Sequence, residues 1–240
     1  MVTFTQLAAS ALLAASTISG AAVKPRLAHD KVKPFDQAVP AGLLGQQYLR
    51  YKPFLQVISG CLPFPAVDPQ GNVNDGLDKG DGDQSNECDF GKGQVYVRSA
   101  ERNGKFAIMY SWYFPKDVPS VGLGHRHDWE NIVLWFSDSS ANATYIGTAI
   151  QEHGKYDHKY KAGDNKMHFD GDRPLISYRN VWPLDHHLDT TDREGSEQPL
   201  IAYEKLTDVA FKAMDKYDFG EADFPFGTKN FDNNIANSQM

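Results

Sequence analysis

The chain has 240 residues, with 24 Lys+Arg against 31 Asp+Glu and a formal net charge of −7. With 41% apolar, 12% aromatic and 23% charged residues it has the composition of a globular protein with a real core, which excludes a mostly disordered chain. General nucleic-acid binding and polybasic docking on anionic lipid both need a basic surface, so the acidic balance argues against each.

In chain order, residues 1–23 contain no Asp, Glu, Lys or Arg, are Leu/Ala-rich at 7–16 and carry small residues at 19–22. They read as a secretory signal, taken here as residues 1–22, with residues 23–240 forming one domain. Residues 43–51 predict a short helix, and residues 62–93, dense in Gly, Pro, Asp and Asn, predict a loop region. Its acidic run at 75–83 lacks the closing Glu of a calcium loop and is most simply solvated. Cys61 and Cys88 are the only cysteines. A secreted chain meets an oxidising compartment, where they would form a bridge; buried free thiols are the alternative. Closing the 26 intervening residues is worth roughly 3 kcal/mol in the chain-entropy model. Asn142-Ala-Thr144 is a glycosylation sequon.

Strand signals follow. Residues 94–99 alternate, with Val95 and Val97 on one face. Residues 106–114 and 128–136 carry apolar residues on both faces, as central strands of a layered structure do, and 143–150 and 175–178 are further strands. A helix is predicted over 200–217, where Leu206, Val209, Ala210, Ala213 and Met214 fall on one stripe. The pattern predicts a mainly β fold, a β-sandwich with a few peripheral helices.

The densest chemistry lies in residues 115–130, PKDVPSVGLGHRHDWE. Period two on a strand from Asp128 puts Asp128 and Glu130 on one face, ahead of Ile132, Leu134 and Phe136. Buried carboxylates need a positive partner. Asp117, Asp128, Glu130 and a ring nitrogen of His125 would suit Mg²⁺, Ca²⁺ or Mn²⁺. Arg126 or His127 could instead pair with the carboxylates. Zinc fits less well, because no His follows Asp128 in the order that hydrolase motifs use. A second cluster, Trp182, Asp185, His186 and His187, is predicted at a loop tip after a strand. Asp and His there can bond hydroxyls, and Trp can stack on a sugar or sit at a membrane interface. The alternatives are a surface loop whose Trp is core, or an acid/base pair of Asp185 with Glu130. A nucleophile elbow and a phosphate loop are both absent from the sequence.

Residues 124–130, GHRHDWE, resemble the complete heptapeptide of the necrosis- and ethylene-inducing-peptide-like proteins. Residues 107–117 (AIMYSWYFPKD) are similar to a second signature of that family, and 66–71, 94–98, 182–186 and 198–201 also resemble its members. The likeness runs from about residue 30 to residue 231. It implies a secreted, non-enzymatic toxin of the two-cysteine form, with a single-domain β-sandwich similar to actinoporins and fungal lectins. It implies a divalent-cation site at Asp117, His125, Asp128 and Glu130, supported by Arg126, His127 and Trp129. It also implies contact of Trp182, Asp185 and His186 with the sugar head groups of glycosyl inositol phosphoryl ceramides, followed by permeabilisation of the host plasma membrane. A monomer in solution is expected. The chain departs from the family pattern at His187, where a Glu is expected, and this touches the charge of the tip but not the cation set.

Overall fold

A computed structural model describes residues 26–80, 82–181 and 185–240, with the side chains of 181 and 185 excepted. The predicted signal segment lies outside the described residues. Among the described residues ten strands form two sheets. The strands are β1 (Phe54–Val57), β2 (Val95–Arg102), β3 (Lys105–Asp117), β4 (His125–Phe136), β5 (Tyr145–Glu152), β6 (Lys155–Lys161), β7 (Phe169–Asp170), β8 (Arg173–Val181), β9 (Asp185–Thr190) and β10 (Leu200–Ala202). One sheet has the order β10-β2-β3-β4-β5-β6; in the other, β8 pairs with β1, β7 and β9. The β10–β2 and β1–β8 pairs are parallel, and the remaining pairs are antiparallel.

β3 and β4 are the central strands that their two-faced apolar pattern predicts, and they are buried along nearly their whole length. One face packs on the smaller sheet, where Phe114 stacks flat on Tyr178 of β8 with ring centroids 3.9 Å apart. The other face meets the C-terminal segment, where Trp129 contacts Phe219, Phe224 and Phe226. Residues of both sheets and of this segment share one hydrophobic cluster. Among the described residues three α-helices flank the sheets: α1 (Leu43–Arg50), α2 (Asp208–Lys216) and α3 (Phe231–Asn237).

Four sequence expectations are corrected. The helix expected over 200–217 begins only at Asp208, where the Thr207 hydroxyl accepts from the Ala210 N–H at 3.2 Å. Residues 200–202 pair with Val95–Val97 instead, because a short continuous apolar run suits a buried strand as well as a helix. β4 starts at His125, three residues earlier than expected, extended by pairing with Asp117 and Lys116. His186 and His187 lie in β9 rather than on a loop tip. β6 was missed because its sequence KYDHKYK buries little beyond Tyr156; lysines on an edge strand also discourage pairing with other chains.

Cys61 and Cys88 are bonded, with Cα atoms 4.9 Å apart. A second tie joins the strand ends of the smaller sheet: Glu197 accepts from the buried Lys52 at 3.0 Å and from Arg173 at 2.5 Å. The Arg173 guanidinium, with Lys52, holds the Glu197 carboxyl down to about 2, against 4.5 normally. A depressed carboxyl stabilises the fold above its unfolded value and loses that contribution as pH falls through the folded one. The stability difference between the native chain and Glu197→Gln should therefore shrink between about pH 5 and pH 2. It should be modest, because Glu197 is half exposed and solvent screens the pair. Thermal melts across that range check it.

Candidate functional site

The ends of β3 and β4 frame a cleft of about 310 Å³ lined by Asp117, His125, Asp128, Trp129 and Glu130. All of these except His125 are buried. Strand pairing explains part of this: Asp117 lies opposite His125, and Phe114 opposite Asp128. Alternation alone does not, since His125 and the pair Asp128 and Glu130 differ in parity yet line the same cleft. Between them His127 adopts a left-handed backbone, φ 61°. Gly124 opens the strand at φ 93°, where a Cβ would sit 2.1 Å from the Asp117 carbonyl oxygen, so only glycine fits.

The smaller sheet positions the carboxylates. The Tyr178 hydroxyl donates to Asp128 Oδ2 at 2.9 Å. The His186 backbone N–H donates to Asp117 Oδ2 at 3.2 Å, and His186 Nδ1 lies 2.6 Å from Asp117 Oδ1. With its amide in the orientation that satisfies both ends, Gln151 donates to Glu130 Oε2 at 3.0 Å. His125 Nδ1 is 2.7 Å from the His127 carbonyl oxygen. A carbonyl can only accept, so Nδ1 carries a proton and the lone pair of the neutral ring is on Nε2.

The electrostatics are those of crowded buried carboxylates. Burial first, and the charge of Asp117 second, push the Asp128 carboxyl up to about 6. Burial pulls the His125 imidazole down, but Asp128, the His127 carbonyl and Asp117 outweigh it and the net shift is upward. Glu221 and Asp223 from the C-terminal segment and His153 from the β5–β6 turn also line the cleft. Three buried carboxylates and an imidazole at one mouth are the donor set of a hard divalent cation, so these residues fit one chemically. Among the described residues no three His, Cys, Asp or Glu side chains stand close enough together to hold an ion as they are placed. The hydrogen bonds to Tyr178 and His186 account for the present orientation of Asp128 and Asp117.

The supporting residues point elsewhere. The Arg126 guanidinium donates to the Asp75 carbonyl oxygen at 2.6 Å and pairs with Asp78, so it fastens the 75–78 loop. His127 Nδ1 meets the Tyr113 hydroxyl at 2.6 Å, and its ring packs edge-on against Tyr217 and Phe219; burial, then Arg126, push its imidazole down to about 4. Trp129 is core. Trp182 and the side chain of Asp185 lie outside the described residues. His186 forms an inner wall of the cleft at 3% exposure, its ring stacked against Tyr178. His187 turns the other way, with Nδ1 3.5 Å from Glu152 Oε1. Asn142 is exposed in the turn between β4 and β5.

Sequence reasoning missed Tyr178, Gln151, His153, Glu221 and Asp223. None belongs to a motif: strand register and sheet packing bring Tyr178 and Gln151 to the cleft, the β5–β6 turn brings His153, and the fold-back of the C-terminal segment brings Glu221 and Asp223.

Residues 45–238 match the family profile described as necrosis inducing protein (NPP1). "NLP effector protein 10" of Phytophthora capsici is 38% identical over 232 residues, covering 95% of this chain and 96% of that protein. A structure titled "Toxin fold as basis for microbial attack and plant defense" superposes with a TM-score of 0.83 at 42% identity, covering 90% of this chain and all of the other. Another, "NLPPya in complex with mannosamine", superposes with a TM-score of 0.82 at 41% identity, covering 89% and 99%. The β-sandwich with its two-cysteine bridge is thus the toxin fold of these proteins, and the chain belongs to the necrosis-inducing protein (NPP1) family.

Proposed function

We propose that this chain is a secreted, non-enzymatic cytolysin that recognises the sugar head groups of plant plasma-membrane sphingolipids and then permeabilises the bilayer. The observation that carries the reading is the cleft itself: Asp117, Asp128, Glu130 and His125 all line it, in a family with a member solved in complex with mannosamine. Residues 1–22 are the secretion signal, residues 23–240 act as one domain, and the chain is a monomer before it meets the membrane.

Asp117, Asp128, Glu130 and the Nε2 atom of His125 would hold Mg²⁺ or Ca²⁺, with Mn²⁺ a third candidate. Such an ion supplies positive charge and exchangeable oxygen sites to a hydroxylated ligand. The chain's own residues do the rest. Tyr178 and His186 fix Asp128 and Asp117 by hydrogen bonds in the wall of the cleft, and their carboxylates would turn to the ion from there. Glu221 and Asp223, exposed carboxylates that line the same cleft, accept hydroxyl hydrogen bonds, which gives a hexose its orientation. Asp185 and Trp182 contact the head group and the interface. Recognition through sugar hydroxyls explains how an acidic chain approaches an anionic surface without bulk charge attraction.

Dye leakage tests the reading. Vesicles containing glycosyl inositol phosphoryl ceramide should leak with Mg²⁺ or Ca²⁺ present and stay tight with a chelator or without the glycolipid. Cation-independent leakage would overturn the role of the site, and release of sugar products from wall polymers would overturn the non-enzymatic reading. Glycolipid binding without leakage would leave a lectin.

A further inference from the structure

The loop between β3 and β4 is apolar where solvent exposure is greatest. Val121 is 78% exposed and Leu123 45%; Ile58, just beyond β1, is 57% exposed. Exposed aliphatic residues are ordinary when scattered. These three are not scattered, because a chain of hydrogen bonds ties their segments together at one end of the sandwich. The Asn180 side-chain amide donates to the Pro119 carbonyl oxygen at 2.8 Å, and the Asn180 backbone N–H donates to Ser59 Oγ at 2.7 Å. From the disulfide-closed loop, Gln84 donates to the same Pro119 oxygen at 2.8 Å and Lys79 to the Gly122 oxygen at 3.1 Å. Gly82 lies so close beneath Val121 that a Cβ there would come within 2.6 Å of its Cα. The loop is braced from below while its aliphatic side chains face water. It also runs directly from Asp117 to His125, two residues that line the cleft, so the loop and the cleft share one end of β3 and β4.

We propose that Ile58, Val121 and Leu123 form a braced apolar platform that enters the interfacial layer of a bilayer and sets the cleft at head-group depth. This rests on the lipid-directed reading above. The occupant is a bilayer rather than a second copy, because three side chains fall far short of the roughly 800 Å² per partner that a stable interface buries. The charges beside the loop offset one another, Asp78 pairing with Arg126 and the exposed Lys79 standing near Asp83, which leaves apolar entry rather than charge to hold the platform at an anionic surface. Full burial of one aliphatic side chain changes a partition constant by roughly tenfold or more, so three give a useful, reversible anchor.

The test compares the mature chain with V121D/L123D, I58D and the conservative V121I/L123I, each checked for an unchanged thermal midpoint. Sedimentation with vesicles containing glycosyl inositol phosphoryl ceramide reads membrane association, and titration with mannosamine reads the cleft without a membrane. V121D/L123D should lower vesicle association at least about tenfold, I58D less, and V121I/L123I not at all, with the mannosamine titration unchanged in all of them. Undiminished vesicle association by a folded V121D/L123D overturns the platform and leaves the functional reading intact. A native chain that binds mannosamine but not vesicles overturns the functional reading itself. Native dimers that V121D/L123D dissolves would reassign the patch to self-association and overturn the proposal.

Discussion

Replacing Asp128 by asparagine should abolish cation binding while leaving the fold as stable as before or more so. The carboxyl is buried, lies near Asp117 and is pushed up to about 6, so the apo protein holds an anion there at a cost. Asparagine keeps the volume, and its carbonyl can still accept from Tyr178, which bonds Asp128 Oδ2 at 2.9 Å. Packing against the Phe114–Tyr178 stack is then preserved while the charge is lost. Titration calorimetry with Mg²⁺ or Ca²⁺ should show affinity down by at least about a hundredfold, the upper end for losing even an outer partner. The thermal midpoint of the native chain should rise with added cation, by mass action on the folded state, and that of Asp128→Asn should not. Tyr178→Phe, which keeps the charge but not its orienting bond, should fall between the two. An asparagine variant that binds the cation normally would show that the carboxylates are structural.

Removing the disulfide should have the largest effect on stability. The Cys61–Cys88 bond has a sequence separation of 27, and in the chain-entropy model closing such a loop is worth roughly 3 kcal/mol. For a chain of this size the double variant C61S/C88S should melt roughly 10 °C lower. The consequence is local before it is global. The Leu62 N–H donates to the Cys88 carbonyl oxygen at 2.9 Å, and the same loop carries Gln84 and Lys79, which brace the segment between Asp117 and His125. Asp117 and Asp128 themselves stand on β3 and β4, which the bond does not hold. Below its melting temperature the variant should therefore keep cation affinity within a few-fold and lose vesicle association. Melts with and without reductant, alongside calorimetry, separate the two effects. A midpoint unchanged by reduction would mean that the loop is ordered by its hydrogen bonds alone.

How much of this was legible beforehand depended on whether the cause was local. β3 and β4 were readable because apolar residues on both faces leave few alternatives to a covered central strand. The Asp128 and Glu130 pairing was readable from period two. The inclusion of His125 on the same side was not, because the left-handed backbone at His127 breaks the alternation, and only glycine announces such a conformation in a sequence. His186 was singled out as a sugar contact on a loop, yet it stands on β9 and holds Asp117 from 69 residues away. The apolar run of Leu200–Ala202 fits either period, helix or strand, and pairing with β2 decides for strand.

By itself, then, the sequence determined the sandwich class, the two long central strands, the cysteine pair and the placement of Asp128 and Glu130 on one strand face. Each of these follows from local geometry, composition or a contiguous pattern. The tertiary structure decided which side chains share the cleft, that Tyr178 and His186 bond its carboxylates, and that Asn180 ties the segment after β1 to the loop between β3 and β4. Those outcomes depend on how two sheets pack and register over distances that no local pattern encodes. Long-range burial sets the register, and a shift of one residue would turn every one of these side chains to the opposite face.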